Sequence, residues 1–291
     1  ENGLQLCKEN GEQLNFTFDR AFSPCVSQEH VFNEVSEFVQ SALDGYNVCL
    51  FAYGQTGSGK THTMQGSGVG AMRGIIARAM EQIGQTKASL ETEGWNYDVK
   101  ISFLEIYNET IRDLLRTTDN AHKKHEIKVL PNGKRFVSDL TVQSLNLDDA
   151  NAIEDVMSLA AKHRSVASTS MNDVSSRSHS VFTLHLTAKH DIQKQSLKGT
   201  LNLVDLAGSE RLKRSEASGD KAKETMAINK SLSSLTSVFV ALGKKNSHIP
   251  FRNSKLTYLL QNCLSGDGKT LMVVNLSPMA KSANESLCSL R

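Results

Sequence analysis

Eight residues constrain this chain more than any others. Gly54-Gln55-Thr56-Gly57-Ser58-Gly59-Lys60-Thr61 follows the pattern GxxxxGK[ST]. The apolar run Val48-Cys49-Leu50-Phe51-Ala52 precedes it and a segment of helical patterning follows, so a buried strand enters the loop and a helix leaves it. Glycines let successive backbone N–H groups converge on a phosphate, and the start of a helix adds the positive end of its dipole. Lys60 is placed to reach the β- and γ-phosphates and Thr61 to ligate Mg²⁺. His62, next in line, is either a nucleotide contact or a packing residue.

The rest of the chain fits one α/β domain. It has 291 residues, 39% of them hydrophobic and 22% charged, which excludes pervasive disorder. There is no 18-residue apolar stretch for a membrane span, and Glu1-Asn2-Gly3 does not begin a signal peptide. Five scattered cysteines without a CxxC pair argue for free thiols in a cytosolic or nuclear protein. Apolar spacing predicts strands at 16–18, 48–52, 99–106, 181–188, 200–206 and 270–276. Helices are predicted at 31–43, 150–163 and 256–264, with a long one carrying Ile228, Leu232, Leu235, Val238 and Leu242. Asn108 is expected to cap a further helix carrying Ile111, Leu114 and Leu115, and Pro131-Asn132-Gly133 to turn a hairpin. These elements imply a central mixed, mostly parallel sheet flanked by helices on both faces.

Hydrolysis needs more than a phosphate cradle. It needs a carboxylate on the metal side, a group that positions water, and a sensor of the γ-phosphate. Strand 200–206 leads into Asp205-Leu206-Ala207-Gly208-Ser209-Glu210. Asp205, at the strand end, is placed to hold Mg²⁺ through water, and Gly208 offers an unobstructed N–H to a γ-phosphate oxygen. Upstream, Asn172-Asp173-Val174-Ser175-Ser176-Arg177-Ser178-His179 packs hydroxyls, a guanidinium and an imidazole before another strand.

GQTGSGKT, NxxSSRSH and DLAGSE together resemble a kinesin motor domain, and the similarity runs from about Asn15 to Arg291. Asn229-Lys230-Ser231-Leu232 lacks the NKxD guanine element, so ATP is the expected nucleotide. The resemblance implies that Asn172 and Ser176 join the phosphate loop around the nucleotide, with Thr61, Ser176 and Asp205 on the Mg²⁺ side. Ser175 and Arg177 would hold the lytic water, Arg177 and Glu210 would close a salt bridge over ATP, and a water chain on Glu210 would accept the proton. Residues 41–53, 94–99 and 103–109 are most similar to the kinesin-14 class. That implies a minus-end-directed, spindle-related microtubule ATPase of the cytoplasm and cytoskeleton, reaching the spindle or nucleus in mitosis and dimerising through a coiled coil outside this chain. Against the family pattern, the first strand and the end of the last helix are expected to be missing, and Ala77 and Thr236-Ser237 are substitutions the fold tolerates.

Residues 225–266 contain no Asp or Glu, but do contain Lys230, Lys244, Lys245, His248, Arg252 and Lys255. Such a run suits either a solvated face or an acidic partner. No aromatics interleave the bases as single-stranded nucleic acid requires, and no basic amphipathic helix suits a membrane. His248-Ile249-Pro250-Phe251-Arg252-Asn253-Ser254-Lys255-Leu256-Thr257 resembles the microtubule-facing element of kinesins.

Overall fold

The computed structural model describes residues 2–8, 11–67, 70–116, 124–149, 151–167, 174–210 and 220–291. A small hairpin of β1 (Gly3–Cys7) and β2 (Gln13–Thr17) leads into α1 (Gln28–Leu43), whose first turn is capped by the Ser27 hydroxyl accepting from the His30 N–H. There follow β3 (Asn47–Tyr53), α2 (Lys60–Met64), α3 (Ile75–Thr92), β4 (Trp95–Tyr107), β5 (Thr110–Asp113), the hairpin strands β6 (Ile127–Val129) and β7 (Arg135–Val137), β8 (Gln143–Ser144) and α4 (Ala152–Ala167). The long pair β9 (His179–His190) and β10 (Gln195–Asp205) precedes α5 (Asp220–Gly243), α6 (Lys255–Leu259), α7 (Gln261–Leu264), β11 (Lys269–Val274) and α8 (Ala283–Leu290).

The main sheet runs β11-β3-β10-β9-β4-β5, with β8 on the side of β4. It is mixed, but not mostly parallel: β3 pairs in parallel with β10 and β11, while β9, β4, β5 and β8 pair antiparallel. Only a short turn separates β9 from β10, and so short a link permits only antiparallel pairing. Strand alternation splits the core. Val48, Leu50 and Ala52 of β3 join the cluster under α1, α3 and α4, whereas Cys49 and Phe51 join the cluster under α5, α6 and α7. Both faces are covered, which is why β3 reads as an unbroken apolar run.

The segment after Asn108 is not a helix. Asn108 (φ 48°) and Glu109 (φ 56°) both lie in the left-handed region and turn β4 back onto β5, with Tyr107 opposite Thr110. A two-residue loop with positive φ at both positions matches the twist of a hairpin. Ile111, Leu114 and Leu115 are buried as expected, but from the sheet edge. The 256–264 segment is broken into α6 and α7 around Leu260.

Candidate active site

The parallel strands β3 and β10 end side by side, Asp205 opposite Ala52, and a cleft opens beyond their carboxyl ends. It has a volume of about 270 Å³ and is lined by Thr56, Gly57, Lys60, Thr61, His62 and Ser176, among others. The phosphate loop spans the gap from β3 to α2. Gly54, Gly57 and Gly59 have φ of 149°, 76° and 102°, which side chains disfavour. At Gly54 a Cβ would also collide with the Asn275 carbonyl.

The Lys60 side chain is buried, with Nζ donating to the Gln55 carbonyl at 2.9 Å. Burial pushes its pKa down, and the carboxylates of Asp205 and Glu210 pull it back up. The Thr61 hydroxyl donates to Asp205 Oδ2 at 2.6 Å. Burial raises the Asp205 pKa against the opposing pull of that hydrogen bond and of Arg164 and Lys60. Among the described residues, Asp205 Oδ1 and Ser58 Oγ are buried without a hydrogen-bond partner. An unpaired carboxylate oxygen on an acid close enough to buried Lys60 for their charges to interact is what a phosphate–metal group would satisfy. His62 is exposed along the cleft rather than packed in the core.

The two sensing segments meet each other and the loop. Ser175, Ser176 and Arg177 form the 3-10 turn Val174–Arg177 ahead of β9, Ser175 being described by its backbone alone. Asn172 lies outside the described residues. The Gly208 N–H, expected to face a phosphate oxygen, donates instead to the Ser176 carbonyl at 2.8 Å. A Cβ on Gly208 would strike the Glu210 carboxylate and the Thr56 hydroxyl. Glu210 sits on the phosphate loop, accepting from Thr56 N–H at 2.8 Å and Thr56 Oγ1 at 2.5 Å.

The expected Arg177–Glu210 bridge is therefore not formed here. Arg177 Nη1 donates to Glu224 Oε2 at 3.0 Å, and Tyr107 holds the other oxygen of Glu224 at 2.9 Å. Glu224 is buried on α5, and an unpaired charge there would be costly, so it captures the guanidinium while Thr56 satisfies Glu210.

Sequence reasoning missed the bracing residues. Asn275, directly after β11, accepts no role from any motif, yet its N–H donates to the Tyr53 carbonyl at 2.7 Å and its amide donates to Thr63 at 2.8 Å. Gln55 donates to the Ser282 hydroxyl at 3.1 Å. Glu105, fully buried on β4, takes Arg112 and Arg164 at 3.4 Å each and the Ser178 hydroxyl at 2.7 Å. The one available signal was an acidic residue inside the apolar strand 99–106.

Comparison with known proteins decides the family. A family model described as kinesin motor domain matches residues 3–291. The chain belongs to the kinesin motor-domain family. It is 54% identical over 298 residues to "Kinesin-like protein KIN-14M" of Arabidopsis thaliana, covering 99% of this chain and 40% of that protein. It is 50% identical to "Kinesin-like protein klpA" of Emericella nidulans, covering 95% and 36%. The solved motor domain of the kinesin-like protein KAR3 from Saccharomyces cerevisiae superposes with a TM-score of 0.87 at 46% identity, covering 99% of this chain and 87% of that one. These relatives put it with the kinesin-14 class. The chain spans about two-fifths of the length of the curated relatives it matches.

In this kinesin domain the basic residues lie mostly on the surface. Exposed positions on α5 recur at Met226, Lys230, Ser233, Ser237 and Val240, one stripe of a helix whose other side is core, and Lys244 is exposed just past its end. Lys245, His248 and Arg252 are exposed beyond it, while Lys255 is half-buried. Glu109 reaches in from the β4–β5 turn and accepts the Lys255 backbone N–H at 3.0 Å. The structure thus puts one carboxylate beside a stretch that has none of its own.

Proposed function

We propose that this domain is a microtubule-stimulated ATPase, the motor unit of a minus-end-directed kinesin-14 that works on the cytoskeleton and in the spindle. One observation carries the reading. The Thr61 hydroxyl, Asp205 and Lys60 converge at the mouth of the phosphate loop, and both sensing segments are already hydrogen-bonded there.

Thr61, Ser176 and Asp205 would hold Mg²⁺, the orphaned Asp205 Oδ1 being the atom the fit rests on. Held by these residues, Mg²⁺ would supply positive charge against the negative charge that develops on the phosphates. The residues of the chain do the rest. The loop N–H groups and Lys60 orient the triphosphate, with Gly54, Gln55, Thr56, Gly57, Ser58 and Gly59 forming the turn. ATP in the cleft competes for donors now spent internally: the Gly208 N–H on Ser176 and the Thr56 N–H on Glu210. Release of Glu210 from Thr56 frees a carboxylate to pair with Arg177 and to accept a proton from water held by Ser175 and Arg177.

Lys230, Lys244, Lys245, His248, Arg252 and Lys255 would face tubulin, whose acidic surface suits their charge. A coiled coil outside this chain would supply a dimer partner. In support, one similar solved structure is named as the motor and motor homology domain of Kar3Vik1 on a synthetic heterodimeric coiled coil. The test is ATP turnover by the full-length protein with and without microtubules. A non-motile, nucleotide-holding microtubule binder would bind the filament without acceleration.

A further inference from the structure

His179 opens β9 one residue past the sensing turn, and none of the roles above uses it. Its ring is buried, and it is bonded at both nitrogens. The Ala207 backbone N–H lies 3.0 Å from Nδ1, and Ser231 Oγ lies 2.7 Å from Nε2. Ser231 Oγ in turn donates to the Ile228 carbonyl at 2.8 Å.

These contacts fix the tautomer. A backbone amide can only donate, so Nδ1 carries no proton. The ring proton is on Nε2 and goes to the Ser231 oxygen, whose own proton is spent on Ile228. The result is one directional chain: Ala207 N–H to His179, His179 to Ser231, Ser231 to the α5 backbone. Among the described residues each donor has one acceptor, and Ala207 and Ser231 are buried too. Such a chain is satisfied only when all its members are in register. Burial, and then the Lys60 charge, push the imidazole pKa down to about 4, consistent with a neutral ring.

Its location gives the chain a use. Ala207 stands between Asp205, which holds Thr61, and Gly208, whose N–H seals the two sensing segments together. Ser231 follows Lys230 and lies on the core side of α5, whose outer stripe carries Lys230 and leads to Lys244 and Lys245 just past its end. We propose that His179 is a positioning residue: its Nε2-protonated imidazole ties the Leu206–Ala207 peptide, one residue ahead of the Gly208 N–H, to α5 through Ser231, so that displacement of α5 by the filament is delivered to the Gly208 N–H. The proposal rests on the microtubule-stimulated ATPase reading above.

The test uses the full-length protein as wild type, Ser231→Ala and His179→Asn. In His179→Asn, Oδ1 replaces Nδ1 but the side chain does not reach Ser231. Basal turnover, microtubule-saturated kcat, half-saturating microtubule concentration, affinity for a fluorescent ADP analogue and thermal midpoint are measured together. Ser231→Ala is expected to keep basal turnover and ADP affinity within about twofold, while microtubule-saturated kcat falls about tenfold at an unchanged half-saturating concentration. His179→Asn is expected to lose microtubule acceleration to a similar degree. Full acceleration in Ser231→Ala overturns the proposal, as does a loss shared equally by basal and stimulated turnover. A wild type without any acceleration overturns the ATPase reading instead. Nitrogen-15 spectra of histidine-labelled wild type decide the tautomer independently of any variant: a proton on Nδ1 of His179 overturns the assignment.

Discussion

Arg177 Nη1 lies 3.0 Å from Glu224 Oε2, so the guanidinium that the motifs pair with Glu210 is held by α5 instead. Glu210 meanwhile is held by Thr56. Two carboxylates thus compete for one arginine, and the phosphate loop holds one of them back. Glu224→Gln removes the competing charge and keeps an acceptor for Tyr107. Basal ATP turnover is expected to rise severalfold, because Arg177 is freed toward Glu210. Arg177→Ala is expected to retain nucleotide affinity and lose at least 100-fold in stimulated turnover, on the order of one charged group at a transition state. Parallel nucleotide-binding and turnover assays check both; an unchanged rate in Arg177→Ala would remove it from the chemistry.

The phosphate loop itself is expected to be sensitive to charge. Lys60→Ala deletes the buried ammonium that faces Asp205 and Glu210. Affinity for ATP should fall about 10- to 100-fold, the worth of a charge-assisted hydrogen bond. Isothermal titration measures it directly, and near-wild-type affinity would contradict the site.

Two glycines of that loop separate strain from collision. A Cβ at Gly57 meets nothing within 4 Å, whereas at Gly54 it meets the Asn275 carbonyl and Ser58 Oγ. Both have positive φ. Gly57→Ala should cost only the backbone term, about 1 kcal/mol, and Gly54→Ala clearly more. Urea midpoints would show the order, and equal losses would contradict the packing of Asn275 on the loop.

Acid stability follows from His179. In the unfolded chain a histidine has its ordinary pKa of 6.5, and in the fold burial and Lys60 bring it to about 4. The folded state therefore binds fewer protons between these values. The contribution is intact above pH 6.5, declines as pH falls, and is fully lost near pH 4, at a cost of about 3 kcal/mol. His185 is shifted the same way by burial. The raised Asp205 pKa acts oppositely at the acid end, since protonation relieves its burial. Urea unfolding across this range should show stability falling from pH 6.5 downward; a flat profile would contradict a neutral buried ring.

The elements around the cleft were legible because each has a local cause. The apolar run 48–52, the glycines after it and the i, i+3, i+4 spacing on α5 need no long-range information. The β4–β5 hairpin was not, because Ile111, Leu114 and Leu115 also satisfy helical spacing and a left-handed Asn108-Glu109 pair leaves no periodic trace. The motifs named the groups in the cleft but not their partners. Whether Arg177 meets Glu210 or Glu224 depends on how close α5 approaches β9. Asn275 and Ser282 reach the loop only because β11 pairs with β3 across more than 200 residues of sequence.

Microtubule affinity is expected to depend on salt. Lys230, Lys244, Lys245 and Arg252 are exposed, and between surface charges attraction fades beyond about 8 Å at physiological ionic strength. Cosedimentation at rising salt should show steadily weaker binding, and neutralising Lys244 and Lys245 together should flatten the dependence. Binding indifferent to salt would contradict a basic docking face.

Steady-state ATP turnover of the full-length protein in Mg²⁺, with and without microtubules, tests the central claim most directly. Slow basal hydrolysis that the filament accelerates strongly is the predicted result. Tight nucleotide and microtubule binding without acceleration would contradict it.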